Sequence, residues 1–360
     1  MAELLSLVNY RFHGPQLERS EVGIVDEYEL VDLFAGAGGL DIAARGLGVP
    51  AVGIEWDASA CATRRAAGLA TVEGDVRAFA PDDFPTATVL AGEPPCQTFT
   101  NVGPRAGQSA LNIVLQLMRQ MAQREHIASR LHQMDDERTG LVLEPLRWAL
   151  AALDSGRPYE AIVLAQVPTV LPVWQAVGDV LSTEGYSVEC GVLRAEEFGV
   201  PQTRRRAVLI ARRHGAAVLP KATHQPYRKS ASPASGDPVL PPCVTMGETL
   251  DRPEPFLVVS NYGSGGDPKA RGRRTSAEPA PTVTGKIFRS RVIAANGAEL
   301  PRLFSSEAGQ LQGFPADHPW AGRDIAQQIG NAIPPLLAAH ILAAALDRRH
   351  LKQRFNRQNP

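Results

Sequence analysis

The chain has 360 residues, too long for one minimal core and enough for a large domain plus a smaller one. Lys and Arg number 37 against 38 Asp and Glu, a formal charge of -1, so no global field draws it to nucleic acid and any such contact must come from local patches. Cys61, Cys96, Cys190 and Cys243 are widely separated and form no metal spacing, and no run approaches about 18 uninterrupted apolar residues, so the reading is a reduced, soluble, cytoplasmic protein without disulfide framework, metal site or membrane span.

From Tyr28 to Arg213 apolar strand-like runs alternate with helix-like stretches. Strands are expected over 28–34, 51–55, 87–92, 161–165, 187–193 and 207–212, and helices over 40–47, 58–67, 110–134, 141–153 and 171–183. The alternation predicts an α/β sheet with helices on both faces. From 214 to about 300 the chain turns rich in Pro, Gly, Ser and Thr, which predicts a smaller, loop-rich domain with short strands. Helical patterns return at 305–311 and 335–346. The expected organisation is therefore a catalytic domain begun by 1–213, an inserted domain over 214–300, and C-terminal helices over 301–360 that rejoin the first part.

The first chemical motif is Val31-Asp32-Leu33-Phe34-Ala35-Gly36-Ala37-Gly38-Gly39-Leu40, an apolar strand running into a glycine-rich turn and then a helix. Such a turn lets a ligand approach backbone N–H groups at the helix start. Glu55 ends the next strand and is followed by Trp56, and Asp75 follows a third. A carboxylate ending the second strand suits a ribose diol, and a later one an adenine amino group. The spacing departs from G-x-G-x-x-G, so an adenosine-bearing cofactor other than NAD is favoured.

The second motif is Gly92-Glu93-Pro94-Pro95-Cys96-Gln97-Thr98-Phe99-Thr100. Two prolines remove two backbone donors and fix two φ angles, presenting Cys96 at a strand's carboxyl end, where open α/β sheets bind ligands. Cys61, Cys190 and Cys243 read as small buried apolar residues, whereas polar neighbours set Cys96 apart.

These segments, with Gln202-Thr203-Arg204-Arg205-Arg206, Leu311-Gln312-Gly313-Phe314-Pro315 and Gln328-Ile329-Gly330-Asn331-Ala332-Ile333-Pro334-Pro335 in the same order, make the chain resemble the DNA (cytosine-5)-methyltransferases. The resemblance runs from Asp32 to about Ala345. It implies a Rossmann-like, S-adenosylmethionine-dependent mixed sheet with a target-recognition domain over 214–300. It also implies a cofactor site of Phe34, Gly36, Gly38, Gly39, Leu40, Glu55, Trp56, Asp75, Pro95 and Asn331. Phe34 is expected on adenine, Glu55 on the ribose hydroxyls, Asp75 on the adenine amino group, and Asn331 beside the glycine turn.

The implied chemistry explains the cysteine. Cytosine C5 is a poor nucleophile until a thiolate, here from Cys96, adds at C6 and makes the ring an enamine that takes a methyl group. Reaching C6 requires the base to leave the duplex. The stretch 103–107 resembles the mobile loop that closes over such a base, and its glycines and Pro104 fit a hinged lid. Addition is easier when a carboxylic acid serves N3, and the family carries a Glu for this in a Glu-Asn-Val-Pro or Glu-Gln-Val-Pro segment. Here that segment reads Ala165-Gln166-Val167-Pro168, with Ala165 in the Glu position. Loss of positioned acid catalysis predicts a rate lowered by roughly 10²- to 10⁴-fold. Gln166 can hydrogen-bond a base but not deliver a proton. Glu93 stands where the family has a small residue and is a conceivable substitute, although adjacency at a strand end does not by itself align two side chains. The simpler expectation for it is an exposed or paired acid.

Arg204 and Arg206 alternate at a strand start and share a face; the resemblance implies that Arg206 reaches cytosine O2 and the Cys96 loop, with Arg204 and Gln202 buttressing. Between Ser260 and Arg302, eight basic residues (Lys269, Arg271, Arg273, Arg274, Lys286, Arg289, Arg291, Arg302) face three acids, and basic residues among glycines suit phosphate contacts. Gln97, Thr98, Lys269, Arg271, Arg273, Arg274, Thr282, Thr284, Lys286 and Arg289 are the expected contacts to double-stranded DNA. A monomer is the default, and a cognate restriction endonuclease follows by analogy. Two further readings stay open: a base-flipping DNA-binding protein with little methyl transfer, and a deaminase working through the same C6 adduct.

Overall fold

The computed structural model describes residues 28–95, 104–125, 127, 138–229, 239–253, 255–263 and 271–347, with backbone only at 104–110, 138–139, 261–263 and 271. Seven strands form the main sheet: β1 (Leu30–Leu33), β2 (Ala51–Glu55), β3 (Ala70–Glu73), β4 (Val89–Gly92), β5 (Ala161–Gln166), β6 (Ser187–Arg194) and β7 (Arg205–Arg212). Their order is β3-β2-β1-β4-β5-β7-β6. The pairs from β3 to β5 are parallel, while β7 runs antiparallel to both β5 and β6. This reversal has a functional consequence: the beginning of β7 lies at the edge where β1, β2, β4 and β5 end. The order also switches direction between β1 and β4, the crevice where open α/β sheets take ligands.

Both faces of the sheet are covered, as apolar runs in central strands require. One face packs Leu33, Ile54, Leu90, Ile162, Leu164 and Leu209 against Trp148 of α4 (Glu144–Asp154) and Trp174 of α5 (Leu171–Thr183). These follow α1 (Gly39–Gly46), α2 (Ala58–Ala66) and α3 (Pro104–Ala122) along the chain. The other face packs Leu30, Ala91, Val163, Ala165 and Val208 against Leu40 of α1 and Leu337, Ile341 and Leu342 of the last helix. The most apolar stretch, 325–345, is therefore mostly buried inside the protein.

A second sheet of four antiparallel strands has the order β11-β10-β8-β9, from β8 (Phe256–Gly263), β9 (Arg271–Thr275), β10 (Arg291–Ala294) and β11 (Glu299–Leu300). Its core of Met246, Phe256, Val258, Val283 and Val292 also takes in Leu303, Ala308, Leu311 and Ile329. Thus α6 (Ser305–Leu311) and α7 (Ile325–Asn331) serve the second core, and only α8 (Pro335–Ala345) returns to the main sheet. Helix α7 adds to the elements expected from the sequence, and β3 is the third strand expected ahead of Asp75. Where a hinged loop was expected over 103–107, the described part, from Pro104 onward, is the first turn of α3. Proline at a first helical position is favoured, since its missing N–H has no intrahelical partner there.

The glycine turn is fixed from below by a buried ion pair. Arg64, on the buried stripe of α2 with Ala60 and Cys61, has no solvent exposure and donates to both Asp41 oxygens at 2.7 and 2.8 Å. It also donates to the carbonyls of Ala35 and Ala70 and to the Thr71 hydroxyl. Gly53 leaves the necessary room: a Cβ there would stand 2.1 Å from the guanidinium. Asp32 lies beside the pair, and burial, with the Asp41 charge adding to it, holds its carboxyl well above the usual range. Removing one partner of such a pair strands the other charge without water. Arg64→Met is therefore expected to lose about 3–5 kcal/mol of stability, measured as a lower urea midpoint.

Candidate active site

Four segments meet at the carboxyl edge. The first is the turn after β1, where Phe34 takes a φ of 61° and Gly36 and Gly38 take 52° and 92°. A left-handed aromatic residue is a strained choice of the kind that gathers at functional sites. The Gly36 N–H donates to Glu55 Oε2 and the Asp57 N–H to Glu55 Oε1, both at 2.7 Å. Burial raises the Glu55 pKa, and these backbone donors oppose the rise.

The predicted cofactor residues divide. Phe34, Gly36, Gly38, Gly39 and Glu55 lie in this turn or touch it, and Trp56 beside them is 65% exposed, a large apolar face with little protein cover. Leu40 is buried in the core and leaves only its backbone for a ligand. Asp75, expected at an adenine amino group, instead caps the turn at 76–78 and holds Arg77 through both oxygens, at 2.6 to 3.1 Å. Asn331 is exposed, with its side-chain oxygen accepting from Gln327. The last motif does return to the glycine turn, but through the Ile333 carbonyl: a Cβ on Gly39 would stand 2.1 Å from that oxygen.

The second segment is the loop after β4. The Glu93 N–H continues the ladder to the Leu33 carbonyl at 3.2 Å. Its carboxylate accepts from Arg206 Nε at 3.3 Å and from the Ile333 N–H at 2.9 Å, with 14% of the side chain exposed. Burial raises the Glu93 pKa, while Arg206, Arg204 and the Ile333 N–H pull it down. Pro94 and Pro95 follow; Cys96, Gln97 and Thr98 lie outside the described residues.

The third and fourth segments are the end of β5 and the start of β7. Ala165 is buried in the sheet opposite Val208. Gln166, expected near the base, spends its side chain on the backbone, donating to the Pro94 carbonyl at 2.7 Å and accepting from the Val167 N–H at 2.8 Å. It thus steadies the prolines ahead of Cys96. Arg204 donates to the carbonyls of Val283 and Gly330, and Gln202 bonds Leu311, Gln312 and Val283. These two residues tie the start of β7 to the segments of the second core.

Beside Arg206 opens a cavity of about 530 Å³ between the two sheets. Half of its twelve lining residues are basic, Arg194, Arg204, Arg205, Arg206, Lys229 and Arg274, against one acid, Glu196. Of the residues expected to touch DNA, only Arg274 and Thr282 line it. Arg274 stacks over Tyr227 with 4.0 Å to the ring centre, and the Thr282 hydroxyl donates to the Thr203 carbonyl. Arg273, Lys286 and Arg289 are exposed away from this lining, and the Thr284 hydroxyl accepts from the Lys286 N–H. Arg271 is placed by its backbone in β9, and Lys269 lies outside the described residues. Arg194, Arg205 and Lys229 were missed because they are scattered along the chain, and only the antiparallel return of β7 brings the first two together.

The sequence model of the C-5 cytosine-specific DNA methylase family matches residues 28–118 and 170–250. Over these two segments the chain carries the sequence pattern of that family. Among its relatives, the Type II methyltransferase M1.HphI of Haemophilus parahaemolyticus is 33% identical over 184 residues, which are 45% of this chain and 48% of that protein. M.Sau96I of Staphylococcus aureus is 27% identical over 88% of this chain and 75% of its own length. The alignment with M1.HphI thus spans about half of that relative. The Dnmt2 methyltransferase of S. pombe superposes with a TM-score of 0.59 at 14% identity, covering 90% of this chain and 99% of that one, which establishes the shared fold. Within this methylase fold the contact of Gly39 with Ile333 is the tightest test of how the last motif seats. Overfilling a packed contact costs about 1–3 kcal/mol. Gly39→Ala is therefore expected to lower the melting temperature, measured by thermal unfolding.

Proposed function

We propose that the protein is a DNA cytosine-5 methyltransferase that takes a flipped cytosine at the carboxyl edge of the main sheet. The observation that carries this reading is convergence: the glycine turn, the Pro-Pro segment leading into Cys96 and the Arg206 guanidinium lie at one edge, beside a basic cavity. S-adenosylmethionine, when bound, supplies an electrophilic methyl group. The site fits it: Glu55 offers a carboxylate to a ribose diol, Trp56 an uncovered aromatic face to adenine, and the turn its backbone to the amino-acid end. Asp75 would contact adenine only by sharing its carboxylate with Arg77.

On the DNA side, six basic side chains around the cavity suit phosphates flanking the extruded nucleotide. Arg206, which bonds Glu93, would hydrogen-bond the base, and Cys96, which follows two prolines in the sequence, would supply the sulfur that attacks C6. Sulfur bonding at C6 moves the ring electrons to C5, which takes the methyl group; loss of the C5 proton and of sulfur then restores the ring. The domain division at 214–300, a cytoplasmic monomer, and a restriction endonuclease of matching sequence preference, consistent with the Type II names of the relatives, complete the proposal.

Incubation with unmethylated genomic DNA and labelled S-adenosylmethionine should yield 5-methylcytosine after hydrolysis, and Cys96→Ala should yield none while still binding cofactor. Label absent from DNA in both proteins would favour the binding-module reading that Ala165 motivates. Uracil formed without cofactor would favour deamination.

A further inference from the structure

We propose that Glu93 is the acid of this site, its carboxyl group standing over Ala165 and serving N3 of the flipped cytosine. This rests on the methyltransferase reading above. The argument begins with strand register. β4 pairs with β5 through Gly92 and Leu164, so the next residue along, Glu93, falls beside Ala165. Inward-facing residues on β4 are Val89 and Ala91, on β5 Val163 and Ala165, and on β7 Val208 and Ile210, all in one core cluster. Alternation puts Glu93 and Arg206 on that same face. The contact of Glu93 with the Ile333 N–H, whose residue belongs to the cluster, bears this out.

β5 lies between β4 and β7. Adjacent strands are about 4.8 Å apart, so the Glu93 and Arg206 backbones stand roughly 10 Å from each other with β5 between them. Their side chains nevertheless meet at 3.3 Å. The register sets Val208 opposite Ala165 and Arg206 two residues nearer the edge, so the two side chains meet over the end of β5, next to Ala165, where a methyl group leaves space that a longer side chain would fill. The small residue at 165 and the acid at 93 are therefore two halves of one arrangement. A carboxyl group entering this space from β4 serves the same edge as one rising from β5.

The chemistry needs such a group. When the Cys96 sulfur bonds to C6, the C5=C6 pair shifts to C4=C5 and the C4=N3 pair moves onto N3, which takes a proton from Glu93. Arg206 and the Ile333 N–H hold the carboxylate left behind. Once C5 has taken the methyl group, N3 returns the proton and the acid is regenerated. The groups facing Glu93 are Arg206 and Arg204 from the β7 side, Asp32 from β1 and the Ile333 N–H from the last motif. Burial raises the Glu93 pKa, the direction that retains the protonated form the step requires, with Arg206 and Arg204 opposing the rise. Because the rate depends on that form, it should fall as pH rises through the Glu93 pKa.

Four proteins test this: wild type, Glu93→Gln, Ala165→Glu, and the exchange Ala165→Glu with Glu93→Gly. Single-turnover methyl transfer should fall by about 10²- to 10⁴-fold in Glu93→Gln, with loss of the alkaline limb, retained cofactor and DNA binding, and a lower melting temperature because Arg206 loses its buried partner. Ala165→Glu alone should be slower than wild type, because two carboxylates then compete for one space. The exchange should be at least tenfold faster than Glu93→Gln. A Glu93→Gln rate and pH profile equal to wild type, or an Ala165→Glu rate above it, overturns the role of Glu93 and leaves the methyltransferase reading intact. If none of the four transfers methyl groups while all bind DNA and cofactor, the methyltransferase reading itself fails, and this inference with it.

Discussion

The carboxyl edge depends on one buried guanidinium. Arg64 has no water to satisfy its charge, so every nitrogen must find a protein acceptor, and the acceptors come from three separate segments: the glycine turn, α1, and the residues at 70 and 71 entering β3. Such a network is stabilising only when complete, because an unpaired donor in a low-dielectric interior costs more than a bond returns. Completeness is what makes the turn specific. With Ala35 and Asp41 pinned by one side chain, the Gly36 N–H is aimed at Glu55, and α1 is held where Gly39 can receive the Ile333 carbonyl. The cofactor edge and the last motif are thus consequences of a charge beneath them.

A second set of polar contacts does the same for the cleft. Gln202 and Arg204 place four hydrogen bonds on backbone and side-chain acceptors of the second sheet and of the segments at 311, 312 and 330. These acceptors are buried and would be unsatisfied if the two sheets separated, so the cleft has a fixed floor. Its walls then carry concentrated positive charge although the whole chain has a net charge of -1. Local placement, not composition, produces the field.

Much of this was legible in the sequence, and the failures have physical causes. Strand and helix periodicity identified β1, β2, β4 to β7 and the helices between them, because central strands covered on both faces must be apolar. β3, at the sheet edge, has only four residues with one fully buried, and its place was marked by Asp75 after it rather than by its own pattern. The roles of Gln202 and Arg204 were readable, since paired polar residues at a strand start must find partners. Asp75 and Asn331 fared differently: motif position predicted a ligand contact, but Arg77 and Gln327, two and four residues away, are nearer and take their side-chain oxygens. Arg64 had a signal that was passed over, an arginine three and four residues after buried Cys61 and Ala60 on one helix face.

Glu93 shows a deeper limit of reading by motif. Matching compares one position with one position, whereas a site is filled in space by whichever strand can reach it. On β5 the substitution at 165 removes a carboxylate; on β4 the residue at 93 supplies one to the same face. The electrostatics couple the two positions, for Arg206 and one N–H can stabilise one carboxylate buried between the strands, and a second would bring like charges together in a medium that screens them poorly. An acid at either position excludes an acid at the other. An alanine in place of the family's glutamate therefore reads as loss only until the neighbouring strand is considered, and in the arrangement proposed above that strand supplies the acid.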